Sequence, residues 1–369
     1  MPRVHALALL GALAASSASC SNGGSDTTTD PCDGATRCPI DGAYPFEKLS
    51  DYDFFQGKMS ELKPKDGVLP FEPRSPLWSD GASKARFLVL PEGTSIQFDA
   101  GDEWVYPEGA ILIKNFMFEH DRRDPSAGRR IIETRLLIYQ GGEWTPHVYL
   151  WDDAQEEAVQ HKIGDRIDIS FIDEAGAAQT QEYIVPNLDK CSSCHERDDA
   201  VQFLGPITHQ LNFEVTRDGA AVNQLTWLAD QGVFGGSIPA PTELPRLADP
   251  KGDAPLEDRA RAYLHANCSH CHRPGGGANR SGLSFLAWED EPLTYGVCKI
   301  PAAAGNGSGG RRYDIAPGDP DDSIVVFRMG SLDPEVKMPE LPNLVIDEFG
   351  AGLVKDWIAS MPVQVCGGG

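Results

Sequence analysis

The chain has 369 residues and carries 55 acidic against 32 basic side chains, which gives a formal net charge of -23 at pH 7. This length is sufficient for two or three domains, each with its own hydrophobic core. The negative charge argues against nucleic acid and anionic lipid headgroups as partners, because both repel an acidic surface.

The first twenty residues have the pattern of a secretory signal. An apolar run from Ala6 to Ala15, too short to span a bilayer, is followed by small residues that end at Cys20. A cysteine in this place resembles the lipobox of bacterial lipoproteins, in which the thiol is acylated, although Ser17 stands where an aliphatic residue is usual. We predict a signal peptide over residues 1–20 with Cys20 as the lipidation site, and secretion without a lipid is the alternative.

Residues 21–43 are polar and rich in Ser, Thr, Gly and Asp, a composition that favours a flexible tether. Ser21, directly after the cysteine, resembles an outer-membrane sorting signal. The two features predict a lipoprotein on the periplasmic side of the bacterial envelope, anchored in the outer membrane. Contact with the membrane is expected only through this N-terminal lipid anchor.

From Tyr44 to about Pro186, short runs of β-branched and aromatic residues alternate with turns that contain glycine and proline. Because short strands at near-regular spacing are typical of antiparallel sandwiches, we predict a β-sandwich or jelly-roll domain over residues 44–190. The predicted strands cover residues 86–90, 95–98, 110–118, 130–139, 144–151, 166–171 and 181–185.

Two C-x-x-C-H pentapeptides follow, at residues 191–195 and 268–272. This is the pattern at which haem is attached: the two thiols become thioethers on the porphyrin, and the imidazole binds the iron. The sequence therefore predicts two covalently bound c-type haems. Zinc is the nearest rival, but zinc motifs space their second pair of ligands differently. The attachment and proximal-ligand residues are Cys191, Cys194, His195, Cys268, Cys271 and His272.

The first pentapeptide lies at the exit of the predicted β-domain, within a segment of residues 191–250. A helix is expected at about 221–231, and the Gly/Pro-rich run 232–250 is interpreted as a linker. Residues 251–366 are predicted to form a small all-α cytochrome c domain. One amphipathic helix there ends at Cys268, and a second begins near Asp347.

For the second iron we predict Met338 as the sixth ligand, since a thioether stabilises ferrous iron and the following proline could fix the loop. Met329 competes, but it continues an apolar helical face and favours core packing. The sixth ligand of the first iron stays open, and an iron without a sixth ligand is one alternative. Its candidate ligands are His209, His120, His147, His161, Met59 and Met117.

Three further residues are candidate neighbours of the haems. His270, inside the second pentapeptide, is expected to point away from its own haem. Arg311 and Arg312 could bind haem propionates through bidentate contacts, or could simply be solvated on their glycine-rich loop.

Nine cysteines are accounted for if four bind haem, one is lipidated and four form disulfides. An oxidising periplasm favours pairing, with Cys32 to Cys38 and Cys298 to Cys366 as the expected bridges. Other pairings of these four remain open, because connectivity does not follow from sequence.

Several motifs together resemble a bacterial family of two-haem c-type cytochromes without an assigned reaction. The resemblance extends from about Tyr44 to Met361, and its last part is similar to the cytochrome c domains common in planctomycetes, in which a Met-Pro pair supplies the haem ligand. It implies haem binding and electron transfer in the cell envelope, and it supports Met338. The motifs are residues 79–84 with 133–137, Pro186-Asn187, residues 259–268, Pro317–Pro320, and Met338-Pro339 through Trp357-Ile358.

The expected function is the transfer of single electrons between redox proteins of the cell envelope. The main alternative is a haem enzyme, for instance a peroxidase-like oxidoreductase, in which the first iron is open and the second feeds it electrons. A third, weaker interpretation makes the β-domain a binding module for a polymer or a protein, with structural or sensory haems.

Overall fold

The computed structural model describes residues 44–101, 103–188, 194–198, 200–302, 304–340 and 343–367. The predicted signal peptide and tether, with Cys20, Cys32 and Cys38, lie outside these residues, and so does Cys191. Within them, no helix is long and apolar enough to cross a membrane.

The largest element is a six-stranded antiparallel sheet in which strand order follows chain order. This is a meander, so the Greek-key crossovers of the predicted jelly roll are not present in it. Ser95–Phe98, predicted as a strand, forms only isolated bridges from Ile96 and Gln97. The strands are β1 (Val68–Pro70), β2 (Ser83–Val89), β3 (Ile111–Glu119), β4 (Arg129–Gln140), β5 (Glu143–Trp151) and β6 (Ala158–Gln160).

The central strand β3 is buried on both faces, which its almost unbroken apolar sequence requires. One face packs against the N-terminal segment through Leu49, Tyr52 and Phe54. On the other face, the hairpin of β7 (Asp165–Ile172) and β8 (Ala178–Val185) covers one part. The protein is thus β-rich, with antiparallel sheets.

A second cover lies on the same face as the hairpin. It is formed by residues after β8, which bury Phe203, Ile207 and Leu225 against Leu88 and Leu112 of the sheet. The predicted linker contributes to this cluster, because Val233, Phe234 and Leu244 are buried in it. The elements are β9 (Glu196–Arg197), β10 (Ala200–Val201), α1 (Thr208–Leu211), β11 (Glu214–Arg217), β12 (Ala220–Asn223) and α2 (Gln224–Asp230).

The helix predicted at 221–231 starts later than expected. Residues Ala220–Asn223 pair as strand β12, and the Asn223 side chain then accepts hydrogen bonds from the backbone N–H groups of Leu225 and Thr226. Asparagine is a favoured N-cap because its oxygen satisfies donors that lack a partner in the first turn. The helix therefore begins at Gln224.

Residues 251–366 contain, in their described parts, three α-helices and long loops, and the first and last of these helices pack together as a helix pair. The helices are α3 (Leu256–Cys268), α4 (Ile324–Met329) and α5 (Glu348–Ser360), and α3 packs on α5 around a separate apolar cluster. Gly350 permits the close approach, since a Cβ there would lie 2.0 Å from Cζ of Tyr263. Asp347 caps α5, as predicted, and its other carboxylate oxygen accepts a hydrogen bond from the Tyr263 hydroxyl. Short 3-10 turns occupy Leu49–Tyr52, Met59–Glu61, Pro125–Ala127, Pro241–Glu243, Asn279–Ser281 and Gly305–Ser308.

A loop before β2 fastens the sheet to the helix pair. The Ser75 hydroxyl donates to the carbonyl of Ala262, and the backbone N–H of Trp78 donates to Oδ1 of Asn267, both on α3. The carboxylate of Asp80, which is 2 % exposed, accepts from the backbone N–H groups of Leu344 and Val345. These bonds hold the C-terminal end of α3 against the sheet.

Candidate functional site

The two pentapeptides meet in the structure. The sulfur atoms of Cys194 and Cys271 and a ring nitrogen of His270 lie within 4.8 Å of one another. Helix α3 brings the second pentapeptide there, and Asn267 secures its end by donating to the carbonyl of Tyr263. His270 is buried between the two sites, where it lines the cavities of both.

His272 is held in one tautomer. The Ser281 hydroxyl donates its proton to the carbonyl of Ala278, so its oxygen can only accept the 3.0 Å hydrogen bond from Nδ1 of His272. The proton on Nδ1 leaves Nε2 as a bare lone pair. Metal-binding histidines are oriented in this way, with the second nitrogen donating to an oxygen.

His195 has the same arrangement with a different acceptor. Its Nδ1 lies 2.8 Å from the backbone carbonyl of Gln202, which can only accept, so Nδ1 carries the proton and Nε2 does not. Burial lowers the pKa of His195 to about 4, and burial likewise lowers the pKa of His272 to about 4. Both rings are therefore neutral at pH 7, the form that binds a metal.

The thiols of the second pentapeptide differ from each other. Burial raises the pKa of Cys268 to about 12. Hydrogen bonds with Cys194 and His270 instead lower the pKa of Cys271, against the effect of its own burial. Cys271 therefore has the greater thiolate character of the two.

A cavity of about 620 Å³ adjoins the second pentapeptide, within the roughly 300–1,000 Å³ usual for cofactor pockets. Met338 and Met329 both line it, so the structure brings both predicted sulfur ligands to the cavity of His272. Met329 also packs against the apolar cluster of the helix pair, whereas Met338 is not part of that cluster. The remaining lining includes Cys268, Cys271, Phe285, Arg280 and Arg328.

A second cavity, of about 230 Å³, adjoins the first pentapeptide and is lined by Cys194 and His195. It is smaller than the usual range, and residues 189–193 of the chain lie outside the described residues. The fit of a haem there consequently rests on the donor atoms rather than on volume. No methionine lines this cavity within the described parts of the chain.

Among the predicted sixth ligands of the first iron, only His147 lines the cavity of His195. His209 stacks on Trp288 with ring centroids 4.1 Å apart, and His120 is exposed at the end of β3. Met117 is buried in the first core cluster, and Met59 packs against it. His161 follows β6 and does not line either cavity.

The predicted propionate partners Arg311 and Arg312 are not at either cavity. Arg311 donates to the carbonyl of Asp321 and stacks on Phe327, and Arg312 lies over Tyr313. The glycine-rich loop that carries them packs toward α4 instead. Arg280 and Arg328 are the arginines that line the second cavity.

Sequence reasoning missed two features of the first cavity. His265 of α3 lines it, and its Nδ1 accepts a hydrogen bond from the backbone N–H of Ala287. Three cations of the sheet, Arg86, Lys114 and Arg135, line it as well. The signal for the latter was available, because Lys114 interrupts an otherwise apolar run in β3.

The last domain contains a disulfide between Cys298 and Cys366, the bridge expected for these residues. It closes the loop whose residues Pro301, Ala302 and Asp314 line the larger cavity.

The cluster of Cys194, His270 and Cys271 could by itself hold a metal ion. Structural zinc sites use four protein ligands, and the described residues supply three here. A haem fits the donor set better, since each proximal histidine presents a bare Nε2 and the second one faces a cavity of cofactor size.

No protein-family model, no curated protein and no solved structure matches this chain.

Proposed function

We propose that this chain is an exported dihaem c-type cytochrome that passes single electrons between redox proteins of the cell envelope. The observation that carries the proposal is the meeting of the two pentapeptides, with the Cys194 and Cys271 sulfurs in one 4.8 Å cluster. Haem iron held by His195 and His272 would supply one-electron chemistry, alternating between its ferrous and ferric states.

The residues of each site have distinct roles in this proposal. Cys268 and Cys271 would hold the second porphyrin, and Nε2 of His272 and the sulfur of Met338 would hold its iron. The Ser281 hydroxyl keeps the His272 ring in the required tautomer. Cys191, Cys194 and His195 do the same for the first porphyrin, with the carbonyl of Gln202 as the acceptor for Nδ1.

Electron exchange between the sites follows from their proximity. Thioether sulfurs lie at the porphyrin edge, so attachment at Cys194 and Cys271 would bring the two ring edges near contact. Electron transfer rates fall steeply with the distance between cofactor edges. If an electron equilibrates rapidly over the two haems, a donor could reduce one haem and an acceptor could oxidise the other, so the pair would act as one carrier.

Location and partners belong to the same proposal. The chain would act on the periplasmic side of the envelope, attached to the outer membrane through Cys20. Its charge of -23 favours redox partners with basic docking surfaces. Labelled fatty acid incorporated into the wild type, but not into Cys20→Ala, would test the anchor.

The decisive experiment expresses the full chain in a bacterium that matures c-type cytochromes. Mass spectrometry is expected to find two haems per chain, and a redox titration is expected to find two one-electron steps. A purified protein with zinc and no covalent haem would contradict the proposal. Cys298→Ser with Cys366→Ser is the matched control, because it removes two cysteines and should keep both haems.

A haem enzyme is the second candidate, and the cavity of His195 favours it. Besides His195 and His270, two histidines line that cavity, and the Nδ1 atoms of both accept: His265 from the backbone N–H of Ala287, and His147 from Nε2 of Gln160. Their Nε2 atoms therefore carry protons and are not prepared to bind iron. A first iron without a sixth protein ligand would bind carbon monoxide and react with peroxide, whereas purely low-spin ferric haem without either reaction would eliminate the enzyme.

A further inference from the structure

Three cations lie side by side across the sheet beneath the first pentapeptide. Arg86 of β2 is directly opposite Lys114 of β3, which is directly opposite Arg135 of β4. Directly paired residues in an antiparallel sheet have Cβ atoms roughly 4.5–5.5 Å apart, and like charges in that relation are destabilising. We call these three residues the cation row.

The cation row occupies a gap between two apolar covers. On one side Leu88 and Leu112 pack beneath residues that follow the first pentapeptide. On the other side Phe116 and Val148 pack beneath the hairpin of β7 and β8. The row between them faces the 230 Å³ cavity that His195 also lines.

Two members of the row form no ion pair. Within the described residues, neither the Arg86 guanidinium nor the Lys114 ammonium forms a side-chain hydrogen bond or an ion pair. Lys114 instead lies over the ring of Phe116, 4.9 Å from its centroid. Burial, together with the charges of Arg86, Lys84 and Arg135, lowers the pKa of Lys114 well below its usual value. A buried cation of this kind is costly unless an anion accompanies it.

The charge of the row can be counted. Arg135 is paired with Glu133, a carboxylate that is 0 % exposed and also accepts a hydrogen bond from Tyr183. Glu133 therefore compensates Arg135, whereas Arg86 and Lys114 are left without an ion pair in the described parts of the chain. Glu72 acts on Arg86 only through its charge, which opposes the effect of burial on the Arg86 pKa. The nearby Lys84 donates to the carbonyl of Leu77 and is offset by buried Asp80.

We propose that the cation row seats the two propionate carboxylates of the first haem, an inference that rests on the function proposed above. The two propionate carboxylates would give Arg86 and Lys114 the ion pairs that they lack. An arginine can bind a carboxylate in a bidentate manner, and a lysine adds a compact charge beside it. Lys114 and Arg135 line the same cavity as His195, the residue proposed to bind the first iron.

The test measures the midpoint potentials of both haems in the full-length holoprotein. Lys114→Met and Arg86→Gln are each expected to shift the first haem to a lower potential, because loss of a positive charge stabilises ferric iron. Lys114→Arg should restore the wild-type potential. The second haem, identified by its far-red methionine-to-iron charge-transfer band, should not change in any of these variants.

Arg130→Gln is the matched control. Arg130 is on the same strand as Arg135 but pairs with Asp153 at the surface, so its loss should leave both potentials unchanged. If both variants, Lys114→Met and Arg86→Gln, carry two haems and the potential of the first haem is unchanged in each, the propionate inference is wrong. The proposed function as a dihaem cytochrome would still stand. Absence of covalent haem from the wild type would instead overturn the proposed function and the inference together.

Discussion

The two pentapeptides are nearly identical in sequence and differ in almost everything around them. The second ends helix α3, beside a cavity of about 620 Å³ that Met329 and Met338 line. The first follows strand β8, beside a cavity of about 230 Å³ with cations in its wall. In the proposed cytochrome, the motif would attach each haem, whereas the different surroundings would determine what each iron can do.

The largest expected effect comes from removing one of the two attachment sites. Cys268→Ala with Cys271→Ala should lose the second haem completely and keep the first, since Cys191, Cys194 and His195 are unchanged. Mass spectrometry would record one haem per chain instead of two, and the far-red charge-transfer band would disappear. Retention of two covalent haems in this variant would show that the second pentapeptide is not an attachment site.

The next effect concerns the sixth ligand of the second iron. Met338→Ala should abolish the charge-transfer band and lower the midpoint potential of that haem, because a neutral sulfur ligand favours ferrous iron. Met329→Ala is the matched control, since Met329 lines the same cavity but packs on the helix pair. A band that persists in Met338→Ala and vanishes in Met329→Ala would reverse the assignment.

Local patterns in the sequence predict most of the strands and helices that surround these sites. Short runs of β-branched and aromatic residues between turns predict β2 to β5, and Asp347 marks the start of α5 because a cap acts within one turn. The strand predicted at Ser95–Phe98 fails, since its apolar residues fit a buried irregular segment equally well.

Contacts between residues that are far apart in the chain could not be predicted from the sequence. The contact between Cys194 and Cys271 depends on how α3 docks against the sheet, through bonds such as that from Trp78 to Asn267. The cation row likewise depends on strand register, because a shift of one residue would turn Lys114 to the opposite face. Sequence spacing contains neither kind of information.

A smaller effect is expected on the free energy of unfolding, because only the second site is enclosed by a disulfide-closed loop among the described residues. The disulfide of Cys298 and Cys366 closes a long loop around the second site. Cys298→Ser with Cys366→Ser should lower the free energy of unfolding by about 2–4 kcal/mol, since the open loop gains entropy in the unfolded state. Denaturant titration, followed at the far-red band of the second haem, would measure it. An unchanged midpoint would mean that the bridge does not constrain this region.

The smallest expected effect distinguishes how the two proximal histidines are held. Ser281→Ala removes the acceptor for Nδ1 of His272 and should cost about 1 kcal/mol of stability, together with a small change in the second haem's potential. Ser281→Thr, which keeps the hydroxyl, is its control. His195 donates to the backbone carbonyl of Gln202, which no side-chain substitution removes, so Gln202→Ala should leave the first haem unchanged. Only His272 is oriented by a side-chain hydroxyl, whereas His195 is oriented by a backbone carbonyl. Equal responses to Ser281→Ala and Gln202→Ala would therefore contradict this difference between the two histidines.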